Sequence, residues 1–80
     1  MKIAILGSGG REHALTVSIS KSSKVEKIYC IPGNAGTSEI AINIDLDIND
    51  FDTLYNFLNE NKIDLVVVGS NNYKVNFIFI

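Results

Sequence analysis

Apolar residues fall along this chain in short runs of two kinds. Ile3-Ala4-Ile5-Leu6 is too short for a helix and is followed at once by Gly7-Ser8-Gly9-Gly10 and then by good helix formers. That succession predicts a buried strand, a tight turn and a helix. Leu15 and Ile19 lie one helical turn apart, with Ala14 and Val17 widening the stripe, and the helix is expected to run to about Ser20. After the polar break Lys21-Ser22-Ser23-Lys24, Lys27-Ile28-Tyr29-Cys30-Ile31 predicts a second strand. Ile40, Ile42 and Ile44 alternate with Ala41, Asn43 and Asp45, the period of a short, half-buried third strand. Asn49 or Asp50 caps a second helix on which Phe51, Leu54, Tyr55 and Leu58 share one face, ending near Asn61. Ile63-Asp64-Leu65-Val66-Val67-Val68 predicts a fourth strand buried on both faces, with Gly69 at its end.

Strands alternating with helices imply right-handed parallel crossovers. The fold expected is α/β: an open parallel sheet in the order 3-2-1-4 with helices on both faces. All six glycines, at 7, 9, 10, 33, 36 and 69, then follow strands one, two and four. Those strand ends share one edge of the sheet, the edge at which such folds bind ligands.

The first glycine turn opens a helix, so its backbone N–H groups face outward at the positive end of the helix dipole. An anion is the natural guest, and phosphate the commonest. The turn is not a dinucleotide fingerprint: Gly7 and Gly9 fit G-x-G-x-x-G, but the third position is Glu12, and the next strand ends Cys30-Ile31-Pro32-Gly33-Asn34 without the acid that would hold a ribose hydroxyl. Nor does a Gly-Lys-Ser/Thr close it as a phosphate loop of the Walker type. Arg11, the sole arginine, sits badly in a first helical turn unless an anion is near. Its partner is either an internal carboxylate such as Glu12 or a ligand anion held by the guanidinium fork. Glu12 falls at N3 behind Gly9, where it can reach back to the cap N–H. His13, without a second metal-ligating neighbour, reads as a hydrogen-bonding or packing residue. The second loop, Pro32-Gly33-Asn34-Ala35-Gly36-Thr37, combines residues that coil tightly and present backbone amides; an ordinary turn is the alternative.

Composition narrows the classes. Eighty residues make one domain or part of one, a chain that buries only about 60–65% of its unfolded surface and gains from a partner domain. A net charge of −2 provides no basic stripe for nucleic acid. Cys30 is the single cysteine, reading as a small buried hydrophobe in a reducing compartment. No apolar run is long enough for a signal peptide or a membrane span, so a soluble, cytoplasmic protein with no nucleic-acid or membrane partner is expected.

Gly7-Ser8-Gly9-Gly10-Arg11-Glu12-His13-Ala14 followed by Pro32-Gly33-Asn34-Ala35-Gly36-Thr37 resembles the amino-terminal domain of the glycinamide ribonucleotide synthetases, the phosphoribosylamine-glycine ligases of purine biosynthesis. Lys62-Ile63-Asp64-Leu65-Val66-Val67-Val68-Gly69 is also similar to that family, and the resemblance covers about residues 1–70. It implies a Rossmann-like domain of the kind that precedes an ATP-grasp region, helping to hold a phosphoribosyl substrate. The family joins glycine to 5-phosphoribosylamine through a glycyl phosphate, consuming ATP with magnesium. Its ATP-grasp domains lie outside these 80 residues, so no ligase activity, catalytic residue or metal site is expected of this chain alone. The substrate-binding candidates are Gly9, Gly10, Arg11, Glu12, Pro32, Gly33, Asn34, Gly36 and Thr37. After Ser70 the chain departs from the family pattern of a glutamate and a proline-leucine pair. Residues 71–80 read as a divergent, β-prone tail, an expected truncated or out-of-frame end that could add an edge strand. The rival readings are a stand-alone nucleotide-binding module of Rossmann type and a remnant without function.

Overall fold

The structure, a computed structural model, describes residues 1–69 and 75–79. Strands β1 (Lys2–Gly7), β2 (Lys27–Pro32), β3 (Ile42–Asn43), β4 (Leu65–Gly69) and β5 (Val75–Phe79) form one sheet, with helix α1 (Gly10–Ser20) after β1 and helix α2 (Phe51–Glu60) before β4. The order is β3-β2-β1-β4-β5. β1 is parallel to both its neighbours, with Ile5 across from Cys30 on one side and from Val67 on the other. β3 adds to β2 in parallel. The expected 3-2-1-4 arrangement therefore holds. β5 extends the sheet beyond β4 as an antiparallel edge strand, Val67 opposite Phe77.

Period-two alternation divides the core between two faces. Ile3, Ile5, Ile28, Cys30, Leu65 and Val67 pack on one side, under Leu15 and Ile19 of α1. Ala4, Tyr29, Ile31 and Val66 point to the other side, where Leu54, Phe57 and Leu58 of α2 cover them. Because both faces are covered, these strands are apolar at nearly every position rather than at alternate ones.

Three local expectations are corrected. On α1, Ala14 and Val17 are exposed, and the buried position is Thr16. Its hydroxyl donates to the Glu12 carbonyl at 2.7 Å and lies 3.3 Å from the Cys30 sulfur, so the polar group is satisfied and the side chain packs as a valine would. On α2, Phe51 and Tyr55 stay 75% and 67% exposed. The helix turns Leu54, Phe57 and Leu58 inward instead, because Tyr29 meets Phe57 edge to face at 5.3 Å. Both frames satisfy helical spacing, and the aromatic pair selects one. The third strand shrinks to Ile42–Asn43, preceded by a single 3-10 turn at Thr37–Glu39, and Ile40 and Ile42 are exposed.

Asp50 caps α2 by accepting the Thr53 N–H. At its other end Lys62 takes a left-handed conformation at φ 53°, while the Ile63 and Lys62 N–H groups bond back to the carbonyls of Leu58 and Asn59. That double bond satisfies two orphan carbonyls and turns the chain into β4.

The frame on α2 has a measurable consequence. In urea denaturation, Leu54→Ala should cost about 2–4 kcal/mol, as cavity-forming substitutions do. Phe51→Ala should change stability by less than about 0.5 kcal/mol.

Candidate functional site

The carboxyl ends of β1, β2 and β4 meet at one edge, and each carries a glycine: Gly7, Gly33 just beyond β2, and Gly69. Gly7 at φ 131° and Gly33 at φ 77° occupy backbone space that side chains rarely enter. Close packing adds to that demand. A Cβ at Gly7 would overlap the Glu12 carboxylate, and one at Gly69 would lie 3.1 Å from the same carboxylate. Glu12 therefore rests in a cradle of glycines from two strands. Its second oxygen accepts the Gly9 N–H at 3.1 Å, the capping contact expected of an N3 glutamate. The third position of a dinucleotide fingerprint is thus filled by a carboxylate, which excludes a pyrophosphate from that space.

Beyond the capped Gly9, the mouth of α1 is left uncovered by the described residues. Gly10 is exposed, and a Cβ there would meet nothing within 4 Å. The Gly9 carbonyl accepts the first helical bond from the His13 N–H at 3.2 Å. In a planar trans peptide the N–H points opposite to the carbonyl, so the Gly10 N–H faces away from the helix. Arg11 is half-buried, with its Cδ beside Gly69 at the end of β4.

The second loop is fastened to the first. The Gly33 N–H donates to the Gly7 carbonyl at 3.1 Å. The Asn34 side-chain amide donates to the carbonyls of Ser8, at 2.9 Å, and Gly9, at 3.1 Å. Its oxygen accepts the Thr37 N–H at 2.9 Å, and the Asn34 N–H donates to the Thr37 hydroxyl at 2.8 Å. Thr37 is fully buried. His13 packs against Gly36, where a Cβ would lie 2.7 Å from the ring, so the sole histidine is a packing residue between α1 and this loop. Pro32 and Ala35 are exposed at the rim.

The nominated residues thus converge: Gly9, Gly10, Arg11 and Glu12 from one loop, Pro32, Gly33, Asn34, Gly36 and Thr37 from the other. One residue the sequence reading missed joins them. Asn43, read as a polar position in a strand, donates to the Asn34 carbonyl at 2.8 Å and accepts the Thr37 hydroxyl at 2.7 Å. Its only sequence signal was an amide among isoleucines. Cys30 lies beneath this network, fully buried. Burial pushes its thiol pKa up, against the opposing pull of hydrogen bonds with Thr16 and Thr37, which leaves it an inert packing group.

Comparison with known proteins matches the sequence of this chain to a family. The model of the phosphoribosylglycinamide synthetase N domain matches residues 1–78. The chain belongs to that family. It is similar to the phosphoribosylamine-glycine ligases of Caldanaerobacter subterraneus subsp. tengcongensis, 45% identical over 69 residues, and Mesorhizobium japonicum, 49% identical over 69 residues; each alignment covers 86% of this chain and 16% of the relative. The Rhodopirellula baltica ligase is 48% identical over 67 residues, covering 84% of this chain and 15% of that protein. The chain thus spans about one sixth of the length of these relatives. The family match runs past Ser70; the missing glutamate and the residues 70–74 that follow β4 lie outside the described residues. Among those described, no helix is long and apolar enough to cross a membrane.

The geometry at Gly33 is directly testable. A Cβ there would overlap the Asn43 side-chain oxygen and lie 2.8 Å from the Thr37 hydroxyl, at a positive φ. Gly33→Ala should therefore destabilise the chain by at least about 1 kcal/mol in urea denaturation, where the same change at a compatible glycine would stabilise it.

Proposed function

We propose that this chain is the substrate-phosphate-holding portion of a phosphoribosylamine-glycine ligase of purine biosynthesis. In the whole ligase, glycine would be phosphorylated by ATP to glycyl phosphate. The amine of 5-phosphoribosylamine would then displace phosphate from the acyl carbon, giving glycinamide ribonucleotide, ADP and phosphate. ATP and magnesium are assigned to the ATP-grasp domains that complete the family's enzyme; no residue of this chain is given a catalytic or metal role. The partners are the phosphoribosyl substrate and those domains, in the cytoplasm.

The observation that carries the reading is the mouth of α1, uncovered by the described residues, beside a second loop pinned to it by Asn34. A helix N-terminus favours a dianionic phosphate by its dipole and by its outward N–H groups. Gly10 allows close approach, and Arg11, whose Cδ lies beside Gly69 on the β4 side, would add a charge-assisted bond from the side opposite the second loop. The Glu12 carboxylate faces Gly7 and Gly69 rather than Gly10, so the phosphate would lie on the side of the second loop, towards Pro32, Gly33, Asn34, Gly36 and Thr37.

The test is a calorimetric titration of the 80-residue chain with ribose 5-phosphate and with NAD. Saturable binding of the first is expected. Arg11→Ala should weaken it by about 1.5–3 kcal/mol, and Arg11→Lys should also bind less well because the planar fork is lost. Stability should change by no more than about 1 kcal/mol in either variant. Preferential binding of NAD would favour a dinucleotide module instead, and binding of neither would leave a remnant without this function.

A further inference from the structure

We propose that Asn43 is a positioning residue that makes the two glycine loops act as one site. Among the described residues its side chain makes no hydrogen bond to the first loop. It sits on β3, fixed by pairing with Cys30 and by the Ile44 N–H bonding to the Cys30 carbonyl at 2.8 Å. From that two-residue edge strand its amide grips the second loop at two points, the Asn34 carbonyl and the Thr37 hydroxyl.

The amide's orientation follows from its partners. The Asn34 carbonyl can only accept, so the nitrogen of Asn43 must face it, leaving the oxygen to take a proton from Thr37. The Thr37 hydroxyl has one proton. Its contact with Asn43, at 2.7 Å, is shorter than the 3.0 Å to the Asn34 carbonyl, so the proton is committed to Asn43 and the lone pairs are free for the Asn34 N–H. Asn34 is thus held by its carbonyl, its N–H and its side-chain oxygen, and only its side-chain nitrogen is left to act outward. That nitrogen grips the carbonyls of Ser8 and Gly9.

The last link is peptide planarity. Fixing the Gly9 carbonyl fixes the plane of the Gly9–Gly10 peptide, and with it the direction of the Gly10 N–H. The His13 N–H holds that carbonyl from within α1, and Asn34 holds it from the second loop. The aim of the anion-binding N–H is therefore set jointly, by the first helical bond of α1 and, through Thr37 and Asn34, from β3. The consequence for ligand affinity rests on the phosphate-binding reading; the positioning itself does not.

Two measurements separate these. By NMR, the Asn34 side-chain amide protons of the 80-residue chain should exchange slowly with solvent. They should lose at least about tenfold of that protection in Asn43→Ala while the amides of Ile5 and Val67 keep theirs. Asn43→Asp keeps the shape and the Thr37 bond but sets an oxygen against the Asn34 carbonyl, and should show the same loss; it is the variant read if Asn43→Ala also loses core protection. Unchanged Asn34 protection in a folded variant overturns the proposal. In titrations with ribose 5-phosphate, Asn43→Ala should bind about threefold to tenfold more weakly. Asn34→Ala combined with Asn43→Ala should bind no worse than Asn34→Ala alone, since both act along one path. Independent, multiplying losses would overturn it. Absence of ribose 5-phosphate binding by the unaltered chain would instead refute the functional reading, with the exchange result still deciding the positioning.

Discussion

The structure depends on β1 being parallel to both of its neighbours. With β2 on one side and β4 on the other, three strands finish at the same edge, and the chain must leave each of them there. Both faces of β1 are buried, so the strand is fixed against slippage by its side chains as well as its ladder: a shift of one residue would exchange the α1 face for the α2 face. Everything at the edge inherits that rigidity.

What the edge does with it is a matter of which polar groups are already spent. Glu12 occupies the space between the ends of β1 and β4 and consumes the Gly9 N–H. Asn34 consumes the carbonyls of Ser8 and Gly9. Among the described residues, the Gly10 N–H remains outward, bordered by the second loop. A site assembled from backbone and held by side-chain amides has its donors in place before a ligand arrives, which lowers the ordering cost of binding.

The sequence made the sheet legible because its strands are buried on both faces and its glycines punctuate their ends. The two loops were legible as well, since the residue types that tolerate their geometry are few. Misreadings arose where two physical choices were equally consistent with the pattern. Phe51-Leu54-Tyr55-Leu58 and Leu54-Phe57-Leu58 both have helical spacing, and the choice was made by Tyr29, far away in sequence. Thr16 reads as polar until the Glu12 carbonyl is seen to take its hydroxyl proton. Asn43 was invisible for the same reason: an amide in a short strand announces nothing until its partners at Asn34 and Thr37 are in place. Sequence patterns report periodicity, whereas Phe57 and Asn43 owe their roles to partners on other elements.

The central claim is that the mouth of α1 receives a phosphate. The most direct measurement is an NMR titration of the 80-residue chain with ribose 5-phosphate, following each backbone amide. The account predicts that the Gly10 and Arg11 amide protons move furthest, with smaller shifts at Gly33 and Asn34. Saturable shifts centred elsewhere, for instance at the opposite end of β2 around Lys27, would contradict it.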